Sequence, residues 1–291
     1  MFKKTRQRVL GISAAIVAAT LLVSCAPDEG GSESPGDAVA AFDTVTDGKL
    51  TIALSQGLPP GYVIQPDGSL DGLLGELLTK FAEENGLEVE LLRTTFASLI
   101  PSLQHGTADI SIAVYYTEER AQEVRYFAPY IRQPASLMMK KDFSYDGPES
   151  LNGHKVGAIL GQVWAPYLQD ALGDDLVQFE DQTSAAQALL NGQVTAYLNT
   201  NLQLFNEPLA SQADNLYFAV IQPGDWGMPA DILSNDSFPI TACESTDLAD
   251  AMDEFLNGLV ASGEWQSMNE AWGIPAENQL LTPELPAQHC A

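Results

Sequence analysis

The spacing of apolar residues changes period repeatedly along this chain, and that rhythm restricts the fold more than any other feature. Leu50, Ile52 and Leu54 alternate with Thr51 and Ala53, the two-residue period of a strand. Leu70, Leu73, Leu74, Leu77, Leu78 and Phe81 then recur at three and four, which predicts an amphipathic helix ending near Gly86. Val89 and Leu91 begin a second strand, a short helix is expected over Leu99 to Gln104, and Ala108 to Val114 reads as a third strand. The rhythm restarts near Leu151. Strands are expected over His154 to Leu160 and Val194 to Asn199, and helices over Val163 to Leu172 and Thr183 to Asn191, the latter closed by Gly192. Asp247 to Leu259 and Gly263 to Trp272 are again helical in pattern. Strands alternating with helices predict an α/β fold whose parallel or mixed sheets are covered on their faces. The chain from Gly48 onward is longer than one such unit needs, so two lobes are expected, with the site in the cleft between them.

The first 24 residues follow a different logic. Lys3, Lys4, Arg6 and Arg8 precede an apolar run from Val9 to Val23 that is too short for a spanning helix and reads as a secretory signal. It ends in Leu22-Val23-Ser24-Cys25, which resembles the lipobox of bacterial lipoproteins. That resemblance implies cleavage before Cys25 and acylation of its thiol, palmitate included, so that several acyl chains hold the protein on the outer face of the cell membrane. Residues 26 to 47 begin with a polar run rich in glycine and proline and form an expected flexible stalk.

Removing residues 1 to 24 takes four of the 13 basic side chains and none of the 39 acidic ones, leaving a formal charge of −30. Nothing in such a chain neutralises phosphates, which excludes nucleic acid as a partner. No Lys or Arg lies beyond Lys155, and an acidic surface of this kind speaks first to solubility. With Cys25 acylated, Cys243 and Cys290 remain as an expected disulfide pair in an oxidising compartment. His105, His154 and His289 are scattered, so no zinc site, other metal or cofactor is implied.

One junction has the chemistry of an anion site. Thr117 suits a helix N-cap, and Glu118 and Glu119 suit a first turn. Unpaired amides at a helix start attract a carboxylate, and Arg120, three residues past the cap, can meet it with two parallel hydrogen bonds.

Several stretches carry a resemblance in their order and spacing. They are Leu58-Pro59-Pro60, Asp67-Gly68-Ser69-Leu70-Asp71-Gly72, Leu99 to Ile110, Tyr116-Thr117-Glu118-Glu119-Arg120 and Tyr126-Phe127-Ala128-Pro129-Tyr130, followed by Leu151 to Gly157, Ala188 to Val194 and Gly263 to Gly273. From about Lys49 to Gly273 the chain resembles the family 3 extracellular solute-binding proteins, the polar amino acid receptors of ABC importers. The resemblance implies a two-lobe periplasmic-binding-protein fold of type II, each lobe a mixed sheet flanked by helices. Lobe one would comprise residues 48–136 and 233–291, and residues 137–232 would hold lobe two. The hinge strands would lie near Leu137 to Lys141 and Gly227 to Leu233. It further implies a monomer that delivers its ligand to an ABC permease. Arg120 would clamp the ligand's α-carboxylate and Phe96 would cover its apolar part. Ala113, Thr117 and the Gly161-Gln162-Val163 loop would complete the contacts, with Asn199 near the end of a lobe-two strand.

This chain departs from the family at telling places. Thr200 stands where the family usually has the aspartate that binds the α-ammonium, and a neutral hydroxyl makes a weaker contact. Ser55 replaces a frequent acidic residue, Leu58 a frequent aromatic, and Gly61, beside Tyr62, a phenylalanine. Tyr115 replaces a small hydroxyl. Three ligand classes fit: an amino acid held by Arg120 and neutral acceptors, a modified amino acid or compatible solute such as a betaine or ectoine held by rings such as Tyr62, Tyr115, Trp164 or Trp226, and a carboxylate without an amine. An enzyme resembling the cyclohexadienyl dehydratases needs an acid or base in the cleft, and Asn199-Thr200-Asn201 offers no carboxylate. A binding role is therefore expected, for a permease or for a membrane sensor.

Overall fold

The computed structural model describes residues 40–230, 232–233 and 236–290, and the expected leader, Cys25 and the stalk up to residue 39 lie outside them. The chain enters through β1 (Lys49–Leu54), β2 (Val63–Ile64), β3 (Leu70–Asp71), α1 (Leu73–Glu84), β4 (Glu88–Arg93), α2 (Leu99–Gln104) and β5 (Ile110–Tyr115). Short strands β6 (Val124–Tyr126) and β7 (Ile131–Arg132) follow, and Gln133 and Pro134 then lead into a second set of elements. These are β8 (Ala135–Lys140), β9 (Val156–Ile159), α3 (Ala165–Leu172), β10 (Leu176–Phe179), α4 (Gln182–Leu190), β11 (Ala196–Thr200) and β12 (Leu216–Val220). The chain returns as β13 (Asp236–Ala242) and closes with α5 (Thr246–Ser262) and α6 (Glu264–Ala271).

Two mixed sheets result, one per lobe. The first has the order β4-β1-β5-β13-β6, with β7 also paired to β13, and the second has the order β10-β9-β11-β8-β12. β1 runs parallel to β4 and β5, whereas the returning β13 is antiparallel to β5 and β6. The segment from Leu137, expected as a connecting strand, is most of β8 and pairs on both flanks, with β11 and β12. Over Gly227 to Leu233 no described residue is a strand, because left-handed backbone at Trp226 and Gly227 and the proline at 229 break extended pairing.

The apolar stripe of α1 explains the first core. Leu73, Leu74, Leu77, Leu78 and Phe81 are buried against Leu50, Ile52 and Leu54 of β1, Ile110 and Ile112 of β5, and Met252 and Leu256 of α5. Each such side chain contributes roughly 1.5–3 kcal/mol of burial. Leu70, expected in this helix, lies in β3 instead. Gly72 between them has φ 91°, and a Cβ there would stand 2.6 Å from Tyr62 Cα and 2.9 Å from two carbonyl oxygens. In the second lobe, Val156, Ala158 and Leu198 pack against Leu168 of α3, while Ile159, Val194 and Tyr197 pack against Ala185, Ala188 and Leu189 of α4. Both faces of that sheet are thus covered, as parallel strands require.

Beyond α6 the tail stays on lobe one. Trp265 Nε1 donates to Leu280 O at 2.7 Å. The Gln288 side chain accepts from Tyr126 N and donates to Tyr126 O, both at 3.0 Å, capping the open edge of β6. The sulfurs of Cys243 and Cys290 lie at bonding distance, with their Cα atoms 5.4 Å apart. Among the described residues no helix is long and apolar enough to cross a membrane.

Candidate functional site

The two sheets enclose a cavity lined by Ser55, Leu58, Tyr62, Phe96, Ala113, Tyr115, Arg120 and Gln133 from the first lobe and the crossover. Gln162, Val163, Trp164, Gln182, Asn199, Thr200 and Gln203 line it from the second. All of the sequence-expected contact residues except Thr117, Gly161 and Trp226 meet there. Thr117 lies in an adjoining groove, where its Oγ1 accepts from Arg120 N at 3.1 Å.

The helix expected after Thr117 is a single 3-10 turn over Arg120–Gln122. The chain must enter β6 at Val124, two residues after that turn ends, and this leaves no length for an α-helix. Arg120 therefore acts through its own charge rather than through a helix dipole. Its Nη1 donates to Tyr115 O at 3.2 Å, and its Nη2 crosses the cleft to Gly161 O at 2.8 Å. The Phe96 ring centroid lies 6.0 Å from its Cζ, which shields the guanidinium from one side. Burial lowers its pKa, yet a guanidinium stays protonated in proteins.

β5 carries a local distortion at this place. Ala113 is left-handed, with φ 66°, and the pairing of β13 with β5 shifts register between Phe238 and Ile240. A non-glycine residue in this conformation is strained, and such strain clusters where a backbone must be re-aimed at a ligand. Beyond it, the Tyr115 hydroxyl donates to Gln133 O, and Tyr115 O also accepts from the Tyr126 hydroxyl at 3.1 Å. Burial raises the pKa values of Tyr62 and Tyr115 well above 10, so both present neutral hydroxyls.

On the opposite wall the polar groups are largely committed to one another. Gln162 Oε1 accepts from Ile159 N at 3.1 Å and from Trp164 Nε1 at 2.9 Å, and the Trp164 ring meets Tyr115 edge-on at 5.4 Å. Asn199 donates to the Tyr197 hydroxyl and accepts from Thr200 N at 2.9 Å. Gln203 donates to Gln182 Oε1 at 3.1 Å. Two buried atoms among the lining residues have no hydrogen-bond partner, Thr200 Oγ1 and Gln133 Nε2. Among the described residues Arg120 is the only charged side chain in the lining.

The lobes touch closely around this cavity. Gly161 has φ 85°, and a Cβ there would lie 3.3 Å from Ala97 across the cleft, while Asn206 Nδ2 donates to Gly57 O at 2.7 Å. The cavity holds about 30 Å³, room for about two waters. A larger solute enters only if Arg120 releases Gly161 or the sheets part.

Sequence reasoning missed Gln133, Gln182 and Gln203. Gln133 sits in a connector without periodicity, and an uncharged amide carries no motif of its own. Trp226, one of the rings considered, faces a different surface depression beside Asp146, Glu149 and Asp225. Among the described residues no cluster of three or more His, Cys, Asp or Glu could hold a metal ion.

Comparison with known proteins agrees with this architecture. A probable histidine-binding protein of Campylobacter jejuni is 30% identical over 151 residues, covering 50% of this chain and 59% of that protein. The alignment thus spans less than two thirds of that relative's length. The probable amino-acid-binding protein YxeM of Bacillus subtilis is 28% identical over 195 residues, covering 65% of this chain and 70% of YxeM. The crystal structure of AbpA, an amino acid ABC transporter substrate-binding protein of Streptococcus pneumoniae bound to L-arginine, superposes with a TM-score of 0.63. It is 27% identical, covering 77% of this chain and 94% of that one. The profile of the bacterial extracellular solute-binding proteins, family 3, matches residues 50–275, so that the cavity and both sheets fall within it, and the chain belongs to that family.

Proposed function

We propose that this protein is the substrate-binding component of an ABC importer. It captures a small carboxylate-bearing solute, an amino acid or an amino acid derivative, between two closing lobes. One observation carries the reading: among the described residues Arg120 is the only charged side chain lining a cavity formed by both lobes, and it already spans the cleft. A guanidinium in that position exchanges the Gly161 carbonyl for a ligand carboxylate, which it meets bidentately and with full charge. The relatives bear the names of amino acid binders, and every amino acid carries such a carboxylate. Capture that swings one lobe against the other converts binding into a shape that a permease reads. The lobe borders at 48–136 with 233–291 and at 137–232 belong to this reading, with the crossovers at Gln133-Pro134 and after Met228 as the moving joints.

Among the described residues no carboxylate lines the cavity to serve as a general acid or base, which supports a binding protein rather than an enzyme. The aromatic rings of Tyr62, Phe96, Tyr115 and Trp164 in the lining support a second reading, a betaine or ectoine whose cation rests on ring faces. The protein works as a monomer outside the cytoplasm, held to the membrane by lipid on Cys25, with Cys243 and Cys290 bonded.

A thermal-shift screen over amino acids, betaines, ectoines and small carboxylates tests the function. At least one carboxylate should raise the melting point, since a ligand that binds only the folded state stabilises it. No response to any of them removes the proposal. Cys25→Ser should move the protein from the membrane fraction to the soluble one, and retention on membranes would refute the lipid anchor.

A further inference from the structure

Taking the carboxylate reading as given, we infer that the solute's nitrogen is neutral. Once the sheets part, the groups lining the cavity suit an N-acylated amino acid or a lactam acid, a carboxylate that also carries a carbonyl oxygen, in preference to a zwitterion.

Charge is the first ground. Among the described residues the lining contributes one positive charge through Arg120 and no negative one. A monoanion neutralises that cavity. A zwitterion brings its own cation into the same space and leaves it without a counter-charge, which is costly away from water.

The unsatisfied groups are the second ground. Gln133 is 2% exposed; its side chain interacts with the Tyr130 hydroxyl, but its Nε2 makes no hydrogen bond of full geometry. Thr200 is 5% exposed and its Oγ1 is likewise unpartnered. Buried polar atoms are rarely left so, and here both belong to residues that line the cavity. An acyl carbonyl accepts from Gln133 Nε2, and the single N–H that an acylated nitrogen retains donates to Thr200 Oγ1. A primary ammonium offers three donors, whereas Gln162 Oε1 already takes two hydrogen bonds and the side-chain oxygens of Asn199 and Gln182 one each.

The rings do not replace the missing acid. One face in the Tyr115 and Trp164 pair is covered by the other's edge, and Phe96 lies beside the Arg120 guanidinium. A quaternary cation needs open ring faces, and a cationic neighbour works against it.

The test is calorimetric titration of the full-length protein with matched pairs: N-acetyl-L-alanine against L-alanine, N-acetyl-L-glutamine against L-glutamine, and L-pyroglutamate against L-proline. Glycine betaine and ectoine are added. The acylated or lactam member should bind at least tenfold more tightly in at least one pair. Thr200→Asp should reverse that preference, and Gln133→Leu should cut the acylated member's advantage over its partner at least threefold. Should Thr200→Asp fail to fold, Gln133→Leu decides. Tighter binding of the free amino acid in every pair, or of betaine or ectoine over every acylated acid, overturns the inference and leaves the carboxylate reading standing. Failure of every carboxylate to bind removes that reading as well.

Discussion

Replacing Arg120 by Ala separates ligand capture from stability, because the structure assigns the two effects different sizes. In the protein itself the guanidinium serves two carbonyls, Tyr115 O and Gly161 O. Tyr115 O keeps a donor in the variant, the Tyr126 hydroxyl at 3.1 Å, and Gly161 is exposed, so water replaces the second bond. The cost to folding is then that of one ordinary hydrogen bond, about 1 kcal/mol, or a drop of about 2–4 °C in melting temperature for a chain of this size. For the ligand the loss is larger. Truncating one partner of a buried charge pair costs about 2–5 kcal/mol, and half-burial of Arg120 puts it in the lower part of that range. Affinity should fall roughly 30- to 150-fold at about 2–3 kcal/mol. Arg120→Lys keeps the charge but loses the planar fork and should fall between. Calorimetry on the best carboxylate from the screen measures the affinity, and a melting curve measures the fold. Binding within threefold of the parent in Arg120→Ala, with the melting point intact, would show that the carboxylate sits elsewhere.

Three further outcomes follow from the geometry. Gly161→Ala introduces a side chain at φ 85° and 3.3 Å from Ala97, so affinity should drop about tenfold from a strain of about 1–2 kcal/mol that closure makes worse; unchanged affinity would mean that the lobes bind without approaching this closely. Burial pushes the Asp253 carboxyl from 3.8 up to about 6, outweighing the Ala128 amide and Arg125, so its penalty is absent below about pH 4 and complete above pH 6, and stability falls as pH rises between them. That shift corresponds to about 3 kcal/mol at most and to about 1 kcal/mol after screening of a half-exposed group, so Asp253→Asn should stabilise by about 1 kcal/mol in urea melts at pH 7 and not at pH 4; an equal gain at both would refute the cause. Cys290→Ser opens a loop closed across 47 residues and should cost about 2–4 kcal/mol, some 5–15 °C, matched by reducing the parent protein; free thiols at both positions in untreated protein would end that expectation.

Much of the scaffold can be read without coordinates. The two-residue alternation at Leu50 to Leu54 becomes β1, and the three-and-four spacing from Leu73 to Phe81 becomes α1, because burial of one face demands those periods. Where the reading fails, a longer-range contact overrides the local pattern. Leu70 continues the helical spacing but pairs in β3, since the chain must clear Tyr62 at Gly72. Thr117 has the composition of a helix cap, but the nearby start of β6 allows only one 3-10 turn.

The candidate site divides along the same line. By itself the chain's order of residues determined the α/β succession, the family signatures and the marking of Arg120 and Thr200, because periodicity and motif are local properties. Tertiary structure alone decided that Gln133 joins them, that Trp226 does not, and that Ala113 is forced left-handed. It also decided which buried polar atoms are left over. Whether a hydroxyl or an amide finds a partner depends on side chains distant in sequence but adjacent in space, as Arg120 is to Gly161 and Asn206 to Gly57. Hydrogen bonds act only at contact, so the unpaired groups that select a ligand exist only once the two sheets have packed.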